Sequence, residues 1–142
     1  MSKSKGNVVY LDDLLTEGYR PEHVRFYLIY GHYRRKLNST GQRISESSRK
    51  LDRYQEMAKS FEDQQSCSEN SDRKAKTLIA SITVRFGDSM SNDLDVKHAF
   101  DSVFKTLVRL DTLRMRGRLS KDDLRRTAQA LRKVDSVLQL LP

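Results

Sequence analysis

The chain has 142 residues, 37% of them hydrophobic and 32% charged, and its 27 Lys and Arg against 19 Asp and Glu give a formal net charge of +8. That length suits one domain, or one domain with a small appendage, and the absence of any long apolar run or signal-peptide core argues against a membrane span and for a cytoplasmic location. A lone cysteine, Cys67, excludes an internal disulfide and a cysteine-rich zinc site, and the basic balance favours a polyanionic partner through bulk electrostatics.

The first seven residues, Met1-Ser2-Lys3-Ser4-Lys5-Gly6-Asn7, combine cations, hydroxyls and accessible backbone N–H groups. They read either as a loop that holds a polyphosphate or as a disordered Lys/Ser-rich terminus. Val8 to Leu11 is a short apolar run, a brief strand or extended segment, and Asp12-Asp13 opens a short helix closed by Gly18. Pro21 suits the first position of a helix that runs to about Tyr30. Its middle, Val24 to Tyr30, is apolar on more than one face, which predicts a helix wedged between neighbours.

Three consecutive cations, Arg34, Arg35 and Lys36, sit in the linker before Ser39, which with Gln42 makes a capping-box signature. The third helix then runs to about Phe61, with Ile44, Leu51, Tyr54, Ala58 and Phe61 as its apolar stripe. Gln64 to Ser71 reads as a flexible connection. Ser71 or Asp72 caps a fourth helix, ending between Gly87 and Asn92, that buries Ala75, Leu78, Ile79, Ile82 and Phe86. Asp93 or Asp95 caps a fifth, whose face from Val96 to Leu110 is the widest apolar one in the chain. Ser120 and Asp123 cap the last helix, predicted to reach about Leu141 with Leu124, Ala128, Leu131, Val134, Val137, Leu138 and Leu141 inward. The pattern therefore predicts an all-α antiparallel helical bundle over residues 39–142, after a loop and small helical module over residues 1–38.

Met1 to Asn7 resembles the KMSKS loop of class I aminoacyl-tRNA synthetases, without that motif's first lysine. The stretch Gly18 to Leu28, followed by Gly31-His32-Tyr33-Arg34, Leu37-Asn38 and Leu51-Asp52-Arg53-Tyr54, is similar to the region after that loop in cysteinyl-tRNA synthetases. Met90 to Val96 resembles the family's M-x-D-D-F-N-T segment, with Asn92 where an acid is usual and Asp95 where an asparagine is usual. The resemblance implies the C-terminal part of such an enzyme, comprising the signature loop, a stem-contact-like module and a helical anticodon-binding domain. By the same resemblance Met1, Ser2, Lys3 and Ser4 would contact ATP, and Lys3 would stabilise the pyrophosphate side of the transition state. The tRNA, by implication a cysteine tRNA, would be the partner.

The chain lacks the βαβ pattern, the HIGH-type motif and the Cys/His zinc cluster of the family's catalytic domain. The resemblance therefore implies that ATP is used only with that domain, in the full-length protein or a partner chain, that zinc is held outside this chain, and that these residues alone are inactive. Two other readings stay open: a free-standing synthetase-derived RNA-binding or regulatory module, and the same region of a cysteine-to-amine ligase. Candidate tRNA contacts are Arg34, Arg35 and Lys36 in the loop, Arg49, Lys50 and Arg53 along the third helix, and Arg114, Arg116 and Arg118 after the fifth. Arg125 and Arg126 extend the last cluster. Tyr33 and Tyr54 could stack on a base but are expected to be packed, His23 and His98 read as surface residues, and His32 as a structural or RNA-facing one.

Overall fold

The computed structural model describes residues 10–31, 33–34, 41–62 and 71–142, and these form six α-helices. The N-terminal loop, Arg35, Lys36, the Ser39 cap and most of the connection after the third helix lie outside the described residues. Helix α1 (Leu11–Thr16) begins one residue earlier than the Asp12-Asp13 signal implies, because the Asp13 carboxylate accepts the Tyr10 N–H at 3.3 Å and makes Tyr10 the cap. Gly18, at φ +92°, ends it by turning its own N–H and that of Tyr19 back onto Leu15 and Leu14. Helix α2 (Pro21–Tyr30) starts on its proline, as predicted.

Helices α3 (Gly41–Glu62), α4 (Arg73–Ser91), α5 (Val96–Met115) and α6 (Lys121–Leu138) form the bundle. Asp72 caps α4 by accepting the Lys74 N–H at 2.8 Å, and Asp95 caps α5 by accepting the His98 N–H at 2.9 Å. The Ser120–Asp123 capping box opens α6 as the sequence predicts. The far end of α6 differs from expectation. Gln139 takes the left-handed conformation at φ 52°, and the Asp135 carboxylate accepts the N–H groups of Leu140 and Leu141 at 2.7 and 2.9 Å. The helix therefore stops at Leu138. Leu140 turns into the core in place of Val137, which is 53% exposed, while Leu141 is only partly buried.

Viewed end on, the helices follow the order α3, α5, α4, α6 around a square, with α3 diagonal to α4 and α5 diagonal to α6. Contacts fix their directions. Lys50 and Arg53 of α3 lie beside Asp101 and Phe104 of α5, so these two run parallel. Ser71 and Asp72, leading into α4, meet Asp123 and Arg118 at the start of α6, so α4 and α6 also run parallel. Glu62 pairs with Arg132, and Gln55 with the Leu140 carbonyl, so α3 and α6 are antiparallel. Helix α2 lies against α3 and α5, burying Phe26 completely in the main core, while Val24 and Tyr27 join Leu14 and Ile44 in a smaller cluster that seats α1.

Phe100 sits where α2, α3 and α5 meet. Its ring centroid is 4.5 Å from Phe26, 5.0 Å from Tyr54 and 6.1 Å from Phe104. The next residue, Asp101, faces the rim of the same junction, where it accepts hydrogen bonds from Lys50, from the Tyr30 hydroxyl at 2.7 Å and from Lys97 at 2.9 Å. Burial pushes the Asp101 carboxyl up, but the bonds from Lys50, Lys97 and Tyr30 outweigh it and bring the pKa down to about 2. Burial, reinforced by the bond to Asp101, pushes the Tyr30 hydroxyl up to about 12.

Two measurements check this junction. Phe100→Ala should lose about 3–5 kcal/mol in chemical denaturation, since the cavity would open among three helices. The depressed Asp101 pKa contributes stability that is present above the ordinary carboxylate range and lost as pH falls toward about 2. Asp101→Asn should therefore cost about 2 kcal/mol at neutral pH, and the gap between variant and parent should narrow below about pH 4. A gap independent of pH would mean that the charge is not what holds the three helices.

Candidate nucleic-acid interface

The parallel pairing of α3 and α5 builds a seam of rings with cations above it. Tyr30, Phe100 and Phe104 form the ridge. Lys50 Nζ lies 4.8 Å from the Tyr30 ring centroid and 5.5 Å from that of Phe104, the Arg53 guanidinium is 5.8 Å from Phe104, and Lys97 Nζ is 5.1 Å from Tyr30. Each ring presents its negative face to a cation, which holds long side chains in place; Lys50 and Lys97 also share the Asp101 carboxylate, and Arg53 has no such partner among the described ion pairs. Arg53 and Arg49 are exposed one helical turn apart on α3. Lys50 points inward toward Asp101 and the Tyr30 hydroxyl, the latter at 2.5 Å, so its charge contributes to the seam from within.

Arg34 reaches the same end of α5 from the α2–α3 linker. It pairs with Asp93 at 3.2 Å, and the Tyr33 hydroxyl donates to that same carboxylate at 2.7 Å. Asp93 and Leu94 both hold positive φ, 54° and 52°, in the tight turn between α4 and α5. Tyr33 is 61% exposed, contrary to the packed position expected for it, because its hydroxyl is drawn outward to Asp93; Tyr54, 1% exposed, is packed as expected.

His23 departs further from expectation, being 7% exposed and not on the surface. It occupies the third position of α2, where its Nδ1 accepts the Arg20 N–H at 3.2 Å in the manner of a capping side chain. Its Nε2 lies 2.8 Å from Asp52 on α3, and Arg20 contacts that carboxylate at 2.5 Å and Gln55 at 2.8 Å. Burial pushes the Asp52 carboxyl up, but His23 and then Arg20 hold it below the ordinary range. This cluster locks α2 onto α3 and so fixes where the linker leaves for the seam. His98 is exposed, as expected.

The second predicted cluster lies at the other end of the bundle, about 25 Å further along α5 at 1.5 Å per residue. Gly117, at φ +63°, turns the chain out of α5 and carries Arg118 toward the start of α4, where it pairs with Asp72 at 2.6 Å. Arg114 pairs with Asp111 at 2.9 Å, and Arg116 is exposed. The structure thus brings Arg34, Lys50 and Arg53 to one end, with Arg49 on the same helix, and leaves Arg114, Arg116 and Arg118 at the other. Met1, Ser2, Lys3, Ser4, Arg35, Lys36 and His32 lie outside the described residues. Lys97 was missed from sequence. Its only signal there is the i,i+4 spacing to Asp101, which says nothing of the rings beneath it. Among the described residues no helix is long and apolar enough to cross a membrane.

No protein-family model matches the chain. Over its whole length it is 32% identical to the cysteine–tRNA ligase of Chlamydia pneumoniae, of which it spans 30%. It is 39% identical over 112 residues to the cysteine–tRNA ligase of Brachyspira hyodysenteriae, covering 77% of this chain and 23% of that protein. Against the enzyme of that name from Leptospira interrogans it is 32% identical over 120 residues, 80% of this chain and 24% of the relative. The chain thus spans about 30% or less of the length of these curated relatives. From end to end, the chain is homologous to the C-terminal region of the cysteine–tRNA ligases.

Proposed function

We propose that the chain is the tRNA-binding part of a cysteine–tRNA ligase, with residues 39–142 as the bundle that holds the anticodon side of the tRNA and residues 1–38 as signature loop and stem-contact module. The observation that carries this reading is the match over all 142 residues to enzymes named for charging a tRNA with cysteine. The α3–α5 seam supports it in chemical terms. Exposed arginines suit successive phosphates, and the partly covered ring of Phe104 and the exposed ring of Tyr33 give a splayed base something to stack on.

In the complete ligase, Lys3 would carry positive charge to the pyrophosphate leaving ATP as the carboxylate of cysteine attacks the α-phosphorus, with Met1, Ser2 and Ser4 shaping that loop. Such a cation accelerates the step because it meets charge that develops in the transition state. ATP and the thiol-recognising zinc belong, on this reading, to the catalytic domain that the matched region does not include. The chain by itself binds and does not catalyse. Arg34, Arg35, Lys36, Arg49 and Arg53 would contact phosphates on the seam side, with Lys50 setting the local potential, and Arg114, Arg116 and Arg118 would contact them at the far end.

Titration of the chain with a cysteine tRNA and two unrelated tRNAs over a salt series tests the reading. Preference for the cysteine tRNA with a steep salt slope is expected. Arg49→Glu combined with Arg53→Glu should make that slope shallower by about two. Equal, salt-sensitive binding to all three would reduce the reading to a basic surface, and no binding at low salt would overturn it in favour of the amine-ligase relationship.

A further inference from the structure

Helices α4 and α6 form a second parallel pair on the side of the bundle away from the seam. Because both start at the same end, matched turns of each face one another across a groove of about 600 Å³. Lys76, Ile79, Ala80 and Thr83 come from α4 at spacings of three, four and seven residues, and Arg126, Gln129, Ala130 and Lys133 come from α6 at the same spacings. Ile79 and Ala130 are buried and form the floor, and the short side chains of Ala80 and Ala130 leave the middle open. Cations and neutral hydrogen-bonding groups line most of the walls, with the Asp123 carboxylate at the end nearest the helix starts.

The acids near this groove are already engaged: burial pushes the Asp123 carboxyl up, but hydrogen bonds from Ser120 and Ser71 and the nearby charge of Lys76 hold it below the ordinary range. Asp123 is 1% exposed and accepts the Ser120 N–H at 2.9 Å, the Ser120 hydroxyl at 2.8 Å and the Ser71 hydroxyl at 3.0 Å. Asp122 pairs with Arg126 at 2.6 Å, and Glu62 with Arg132 at 3.1 Å. Among the described residues, neither Lys76 nor Lys133 has a carboxylate within ion-pair distance. Lys76 and Thr83, like Arg126 and Lys133, are separated by about 10 Å along their helices. That is about three steps of a stacked nucleic-acid strand at 3.4 Å each. Arg118, paired with Asp72 at the start of α4, lies toward the same end of the bundle as Lys76 and Arg126.

We propose that the α4–α6 groove is a second RNA contact, holding a run of phosphodiesters between Lys76 and Lys133, with Gln129 and Thr83 donating to phosphate or sugar oxygens. The proposal rests on the RNA-binding reading of the chain and adds to it a face that the seam does not reach. Lys76→Glu combined with Lys133→Glu tests it in the same salt series, after thermal unfolding has checked that both exposed substitutions leave the fold intact. The expected result is weaker RNA binding with a slope shallower by about two, additive with the loss from the seam pair. Arg85→Glu combined with Arg109→Glu changes net charge equally, but Arg85 lies on the opposite side of α4 from Lys76, and this variant should lose distinctly less.

If the groove variant binds RNA with the parent's affinity and slope, the proposal fails and the seam reading stands. If the parent binds no RNA, the reading of the chain fails with it. Inorganic tripolyphosphate titrated into isotopically labelled chain then decides whether the groove holds anions at all. Shifts of the Lys76, Gln129 and Lys133 amides would retain an anion groove, and their absence would remove it.

Discussion

The junction of Phe100 and Asp101 on α5 governs how the rest of the bundle is arranged. Two successive helical residues point about 100° apart, so one α5 segment sends an aromatic ring into the core and a carboxylate to its rim. The ring collects Phe26 from α2 and Tyr54 from α3. The carboxylate collects Tyr30, Lys50 and Lys97 from α2, α3 and α5. Apolar packing supplies most of the free energy here, but it is weakly directional. The charged hydrogen bonds set the register at which α2 and α3 lie along α5, because Tyr30 and Lys50 must both reach one partly buried carboxylate.

That register has consequences for charge. With α3 parallel to α5 and α4 parallel to α6, basic residues at helical spacing line up across each pair. The diagonal placement of α3 and α4 keeps the two seams on opposite sides of the bundle. Parallel neighbours also bring two positive helix N-termini together at the start of α4 and α6, an unfavourable arrangement. Asp72, Asp122 and Asp123 occupy the caps and first turns there and offset it. These acids, like Asp101 at the α5 junction, are engaged in structure.

The homology to cysteine–tRNA ligases gives these seams a chemical context, since a tRNA is a long polyanion whose backbone can cross more than one face of a small bundle. The two faces differ in character. The α3–α5 seam has rings beneath its cations and suits unstacked bases as well as phosphates. The α4–α6 groove has aliphatic and small residues beneath its cations, which suits phosphates and sugars. On the proposed reading, affinity comes from both and any base preference from the ringed side.

Much of this was legible in the amino-acid sequence. Helical spacing located the six helices, and the local chemistry of Pro21, Asp72, Asp95 and the Ser120–Asp123 pair set where four of them begin, because a cap needs only residues within one turn. The concatenated motifs from Met1 to Tyr54 identified the relationship that the full-length comparisons bear out. Tertiary structure decided what depended on distant partners. His23 is buried because Asp52, on another helix, receives it. Leu140 enters the core because Asp135 turns the chain behind α6. Lys50, one cation among three in its stretch of α3, faces inward because α5 places Asp101 beside it. The α4–α6 groove follows the same rule. Its two stripes can be read separately from their spacing, but nothing along the chain states that α4 pairs with α6 and not with α3, since helix pairing is set by how whole apolar faces fill one core.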